Sequence, residues 1–398
     1  MYSARAHLRS SIAITLAFVA LQIGLMTLRA QSPDNQQASR GWDREGAVKY
    51  LDERMEVWFA NAKRLRTGET QTVCVSCHTT VPYVLARPAL RRALRSNSVA
   101  PQEVRIVEEA TRRVESYGAH QLLYDHTESK KTESLGTEAV LDALILVNAD
   151  IVQGRREPSI PTQKALKQMW ATQRTDGAWD WLDFGLEPFE TVDGVYYGAT
   201  LAALTLGSAP GFFSRHDHDI VAGITKLHAY LKANYADQSL FNRAWLLLAA
   251  GRVHELLNDK QKGALIAELQ ARQRDDGGWA VGSLGRWRWS KASEPFRPPG
   301  TTDQSLLEKS DGYGTGLVVY ALRQAGVPVN NRSVSRGLDW LRANQKDVEI
   351  GERRWHAWRT HSLNFDREHG GDKGEPWRRM FMSDSATAFA ALALLSAE

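Results

Sequence analysis

Ala165 to Trp179 reads ALKQMWATQRTDGAW, and Leu265 to Trp279 reads LIAELQARQRDDGGW. Aligned on Gln173 and Gln273, both give Gln-Arg-x-Asp-Gly-x-Trp at the end of an apolar pattern with helical spacing. A looser third copy runs Gly337-Leu338-Asp339-Trp340-Leu341, with Gln345, Gly351 and Trp355 beyond it. In a degenerate fourth, Leu231-Lys232-Ala233-Asn234 matches Leu341-Arg342-Ala343-Asn344. Each copy is followed by a segment of small and apolar residues: Gly194–Leu206, Leu240–Ala250, Gly312–Leu322 and Ser385–Leu395. Val81–Leu94 and Leu135–Val147 fit the same slot. Helices that are apolar on most faces are buried, so the helices bearing Lys, Arg and Glu lie outside them. Pairing outer with inner gives six hairpins, at approximately 43–95, 101–149, 161–207, 218–252, 259–326 and 331–396. Period-two alternation is hard to find, and the fold class expected is all-α, a closed α/α barrel of six hairpins.

The Gln173…Gly177-x-Trp179 and Gln273…Gly277-x-Trp279 pattern resembles the QW repeats of squalene/hopene cyclases and the related protein prenyltransferases. The resemblance spans roughly residues 40–398 and implies an (α/α)6 toroid. It also implies that the Gln ties helix ends together while the Trp stacks on it. Activity does not carry over. Hopene cyclases use an Asp-x-Asp-Asp acid, whereas the Asp-Asp pair here, Asp275-Asp276, lies inside a repeat. Protein prenyltransferases bind zinc through Asp, Cys and His, and no such arrangement is present around the two cysteines here.

Those cysteines are Cys74 and Cys77, in Cys74-Val75-Ser76-Cys77-His78. The pattern resembles the attachment motif of c-type cytochromes. Thiols at i and i+3 reach the two haem vinyl groups, and the adjacent imidazole ligates the iron. One covalent haem c is therefore expected, held by Cys74, Cys77 and His78, with the motif in the first outer-to-inner loop. A Cys-x-x-Cys redox pair needs no His and usually opens a helix in a β/α context. A zinc site needs further ligands.

Residues 1–30 read as an export signal rather than as part of the fold. Arg5, His7 and Arg9 form a basic start, Ile12–Leu28 is apolar, and Ala30 precedes a plausible cleavage point at Gln31. The alternative is an uncleaved anchor, the one way a membrane enters the reading. Haem attachment outside the cytoplasm agrees with export, so the location expected is periplasmic or otherwise exported, in a bacterium. Arg5, Arg9 and Arg29 account for three of the four formal positive charges, which leaves no nucleic-acid signature. With 43% hydrophobic and 24% charged residues, the 398-residue chain has the composition of a globular protein.

In an α/α barrel the outer-to-inner loops share one end. Here these are 64–79, 174–192, 274–310 and 346–382, and long loops inside a compact domain are usually functional. They carry Arg286-Trp287-Arg288-Trp289, Arg353-Arg354-Trp355-His356, Trp358-Arg359, His361, His369, Trp377-Arg378-Arg379-Met380 and Met382. In a closed ring the first and sixth repeats are neighbours. Met380 or Met382 is then the candidate sixth iron ligand opposite His78, and His356, His361 and His369 are its rivals. Asp193, Asp311 and Asp384 each precede an inner helix and read as N-caps. Tyr196, Tyr197, Phe241, Trp245 and Tyr313 read as core that alternatively lines an apolar cavity. Gly312-x-Gly314-x-Gly316 follows no strand and is not read as a nucleotide loop. His216 and His218 fall at the short-loop end.

Electron transfer or haem-based redox chemistry with a redox partner protein follows from the motif. A terpenoid or other small apolar ligand is the alternative suggested by the repeat family. A carbohydrate-active α/α barrel is a third, and it requires a carboxylate pair across the cavity.

Overall fold

The computed structural model describes residues 41–67, 70–117, 119, 121–213, 218–285, 308–350, 353–361, 363 and 376–398. The expected export signal, His216, Arg286, Trp287, Arg288, Trp289 and His369 lie outside the described residues.

Among the described residues twelve α-helices alternate between an outer and an inner position. The outer ones are α1 (Arg44–Asn61), α3 (Pro101–Glu115), α5 (Ile160–Ala171), α7 (His218–Ala233), α9 (Asp259–Ala271) and α11 (Arg332–Asn344). The inner ones are α2 (Thr80–Ala93), α4 (Glu128–Val152), α6 (Gly194–Ser208), α8 (Leu240–Ala250), α10 (Gly312–Gln324) and α12 (Phe381–Leu395). Each inner helix packs on the next, α2 on α4 through to α10 on α12, and α12 returns to α2. The inner ring is therefore closed. Outer helices seat against the preceding inner one (α5 on α4, α7 on α6, α9 on α8, α11 on α10), and α1 seats against α12. This is an (α/α)6 toroid over Asp43–Glu398.

Composition dictates the layering. Twelve residues of α6 and fourteen of α12 are buried, in sequences made mostly of Ala, Gly, Leu, Thr, Ser and aromatics, with Asp384 the buried exception. Burial of each large apolar side chain stabilises by roughly 1.5–3 kcal/mol, and the small residues let the backbones approach. The closest seam is α10 against α12. A Cβ on Gly316 would stand 2.6 Å from the backbone nitrogen of Ala390, and one on Gly312 would stand 2.5 Å from the Cβ of Trp358. Gly314 faces elsewhere, a Cβ there standing 2.6 Å from the Val281 backbone nitrogen, so each glycine of the series serves a close approach. Side-chain caps start many of the helices: Asp43 on α1, Thr127 on α4, Ser239 on α8, Asn258 on α9, Asp311 on α10 and Asn331 on α11.

In the two sharp repeats the glutamine ties helix ends together. Gln173 Nε2 donates to the carbonyls of Gly177 and of Gly223 on α7, both at 2.9 Å. Gln273 Nε2 donates to Gly277 and to Ser333 on α11, both at 2.8 Å. Trp179 and Trp279, fully buried, donate back to the carbonyls of Met169 and Leu269 at 2.6 and 2.7 Å. Gly177 takes φ +99°, and a Cβ there would stand 2.2 Å from the Lys226 carbonyl oxygen, so both reasons for glycine hold at once.

One expectation changes. In the third repeat the ring that fills the Trp179 position is Trp358, donating to the Leu341 carbonyl at 2.8 Å, not Trp355, which donates to Glu53. Its Gln345 joins the ring's ends, donating to the Asp43 carbonyl at 2.7 Å and accepting from the Asp43 N–H at 2.8 Å. The all-α class holds, with two short hairpins beside the helices. Strands β1 (Arg64–Thr67) and β2 (Thr70–Val73) form one antiparallel hairpin, and β3 (Lys346–Ile350) and β4 (Arg353–Ala357) form another. The second is the insertion that displaces the repeat's tryptophan. Among the described residues no helix is long and apolar enough to cross a membrane.

Candidate functional site

Outer-to-inner connections meet at one rim. The connection from α1 to α2 runs through β1 and β2 and delivers Cys74–His78 to the start of α2. Its path is held on both sides. Val73 donates to Glu109 Oε2 at 2.7 Å and accepts from Arg113 Nη1 at 2.8 Å. Cys74 donates to the Lys63 carbonyl at 2.8 Å and accepts from Trp58 Nε1 at 2.7 Å. Ser76 Oγ then accepts from the N–H groups of Thr79 and Thr80 at 3.2 and 3.0 Å, which caps the turn carrying Cys77 and His78.

The half-buried Cys74 packs against Leu65, Leu123, Leu182 and Phe184, and Cys77 is buried. Burial pushes the Cys74 thiol up to about 12 and lifts Cys77 well above its ordinary range. A Cys-x-x-Cys redox pair works through a thiolate held below the ordinary value, and this environment does the reverse. Among the described residues no three His, Cys, Asp or Glu side chains are grouped to hold a metal ion.

His78 stands in an aromatic frame. Its ring stacks on Phe381 at 3.9 Å and meets the edge of Trp58 at 5.2 Å. Trp377 closes the cluster against Trp58 and Phe381. On the other side of the ring electrostatics take over. His78 Nδ1 lies 2.9 Å from Thr79 Oγ1, and Thr79 Oγ1 donates to Asp384 Oδ2 at 2.7 Å. Asp384 also accepts from Arg54 Nε and Nη2 at 2.6 and 3.0 Å and from the Tyr50 hydroxyl at 2.8 Å. Arg54 and Asp384 are 3% and 1% exposed, so this is a desolvated ion pair. Burial, then the Asp384 charge, lifts the Tyr50 hydroxyl well above its usual range. Burial weighs against charge on Arg54, but Asp384 holds the guanidinium above its ordinary value.

A crevice opens beside His78 between Leu186, Phe189, Glu190, Arg378, Phe381 and Met382. One wall comes from the 181–192 segment, which folds over the barrel mouth. Trp181 Nε1 donates to the Phe189 carbonyl at 3.1 Å, and Leu186 and Glu190 exchange backbone hydrogen bonds. The Phe189 ring lies on Tyr197, Phe241 and Tyr313. Tyr197, Phe241, Trp245 and Tyr313 are fully buried and form an aromatic cluster below it, while the buried Tyr196 turns to α7, its hydroxyl donating to the Leu231 carbonyl at 3.0 Å.

Met382, in the first turn of α12, shares the crevice with His78. Met380 instead lines a separate cleft of about 590 Å³ with Asp311, Trp340, Arg359 and His361. His356 faces the start of α1, its Nδ1 3.2 Å from Asp43 Oδ2 and its Nε2 3.1 Å from the Gln345 carbonyl. Of the three aspartates read as caps, only Asp311 accepts from the first N–H groups of its helix. Asp384 is inside α12 and ion-paired, and Asp193 makes no side-chain cap.

Sequence reading missed Thr79, Asp384, Arg54 and Tyr50 as a unit. A signal was present. Ala47, Tyr50, Leu51, Arg54, Met55 and Trp58 form the buried stripe of α1, and an arginine on such a stripe requires a buried acid.

No family model matches the chain, and no curated protein matches it. A solved unsaturated glucuronyl hydrolase variant, titled with the saccharide dGlcA-Glc-Rha-Glc, aligns over 86% of this chain and 95% of its own at 11% identity and a TM-score of 0.47. Likeness at that level says nothing of activity.

Proposed function

We propose that the protein is an exported c-type haem protein built on the α/α toroid, serving electron transfer or haem-based redox chemistry with a redox partner protein. The observation that carries the reading is Cys74-Val75-Ser76-Cys77-His78 held on a capped turn, with the imidazole at a crevice. Each thiol would add S–H across a haem vinyl double bond, the sulfur bonding to one carbon and the hydrogen passing to the other, with no leaving group. His78 would hold the iron and Arg378 would pair with a propionate. Met382, which lines the His78 crevice, is the better placed of the two candidate thioethers. When bound, haem supplies a one-electron iron couple whose potential follows its axial ligands and surroundings.

The donor set suits the group, while the crevice beside it is lined by Glu187, Glu190 and Arg378 as well as by Leu186, Phe189 and Phe381. The space beside His78 is about 10 Å³, room for one water. Seating haem there requires the 181–192 segment or the Phe381 ring to move off the imidazole. The test is expression with haem-maturation machinery, followed by a denaturing gel stained for haem. Covalent haem is expected in the wild type and absent from the Cys74→Ala, Cys77→Ala double variant. A wild type without covalent haem, or a double variant that keeps it, overturns the reading.

A second reading, saccharide binding, rests on the cleft at Trp340. It presents an indole beside Asn344, Lys346, Arg359 and His361, with Asp311 lifted by burial to about 6, a value suited to a general acid. Calorimetric titration with acidic oligosaccharides, expected to lose its heat in Trp340→Ala, separates it from the first.

A further inference from the structure

We propose that a cavity away from the rim, between α2, α3 and α4, binds a neutral aliphatic amphiphile: a hydrocarbon chain that ends in a hydroxyl. The site is independent of the haem reading. Inner helices start at the rim and outer ones end there. The C-terminal halves of α2 and α4 and the N-terminal half of α3 therefore meet at the opposite end. Between them lies a cavity of about 330 Å³. That volume is at the lower end of the roughly 300–1,000 Å³ that small-molecule sites occupy. Val84 and Pro88 of α2, Ile106 of α3 and Ile145 of α4 line it, and Val104 stands at its mouth, 45% exposed. Val84, Ile106 and Ile145 are themselves buried, so the apolar wall is recessed. A second protein surface would reach only the mouth, whereas a thin chain reaches the wall.

Two features choose the head of the ligand. Pro88 has no N–H, so the Val84 carbonyl four residues earlier lacks its helical donor. Asn148 Nδ2 takes that place at 2.9 Å, which fixes the orientation of the amide. Asn148 also lines the cavity, and among the described residues nothing donates to its Oδ1. A ligand hydroxyl is the donor that this oxygen lacks. Charge then excludes a carboxylate head. Glu103 and Glu108 line the cavity, and the cation there, Arg91, is already paired, its Nε 3.4 Å from Glu103 Oε2. Arg87, 3.8 Å from Glu103, is held by two hydrogen bonds to Asp52. An anionic head would meet two carboxylates and one occupied guanidinium, a repulsion that a hydroxyl avoids.

The test is displacement of 1-aminoanthracene, read by its fluorescence, from the full chain by n-alkanols from hexanol to dodecanol. Each added methylene is expected to tighten binding about fourfold until the cavity is full, after which affinity levels off. Decanoate is expected to bind more weakly than decanol. Ala149→Phe, which fills the cavity, is expected to abolish binding. Val104→Glu, on the exposed mouth, is expected to weaken it with the helical circular dichroism intact. Alkanols that do not compete, an affinity indifferent to chain length, or decanoate that binds as tightly as decanol overturns the proposal. Unchanged binding in Val104→Glu overturns it too. So does a dimer in sedimentation that Val104→Glu dissociates while no alkanol binds, because the face is then a contact between copies.

Discussion

Arg54 shows how a single residue can announce a site. It occupies a position that helical spacing reserves for apolar side chains, and a buried guanidinium persists only with an acid beside it. Its partner is 330 residues away, so the sequence reveals the need for an acid but not which acid. The Cys74, Cys77 and His78 triplet is legible because its chemistry is confined to five consecutive residues. Thr79 and Asp384, 305 residues apart, belong together only once the ring has closed. Asp311 offers a test by pH. Burial lifts its carboxyl to about 6 despite three backbone N–H donors and the Thr360 hydroxyl. The folded value exceeds the unfolded one, so the stability it contributes is fully present below about pH 4 and lost as pH rises through about 6. The loss amounts to about 3 kcal/mol for a two-unit shift. Asp311→Asn does not titrate, so the stability difference between wild type and variant, from urea denaturation, is expected to change sharply between pH 4 and 7. A difference that stays flat across that window refutes the assignment.

At the scale of elements, helix spacing placed all six hairpins. The last, expected at 331–396, runs from Arg332 in α11 to Leu395 in α12. The two β-hairpins escaped because strands of four and five residues carry too few alternations to stand out from a loop. For the same reason the third repeat was assigned Trp355. The inserted hairpin moves the equivalent ring to Trp358, and only its bond to the Leu341 carbonyl identifies it. Trp179 and Trp279 make the same bond from the same depth, so Trp179→Ala and Trp279→Ala should each cost about 3–5 kcal/mol. The two losses should be alike, as read from denaturant midpoints. A loss below about 1 kcal/mol in either would show that its ring is not a fastener.

For the molecule as a whole, closure is made by contacts between the two ends of the sequence: α12 on α1 and α2, Gln345 on Asp43, and Asp384 on Arg54 and Thr79. A ribosome delivers these partners at opposite ends of synthesis. The segment bearing Cys74 and Cys77 is made early, while the helix that will bury its surroundings is the last to be made. On the proposed reading, haem would be attached after export, and both thiols would be within reach only while that last helix is unseated. A chain ended before Pro376 is therefore expected to stain for covalent haem on a denaturing gel while showing no cooperative thermal transition by circular dichroism. If the shortened chain never takes haem, attachment depends on the finished ring, and the sequence of events runs the other way.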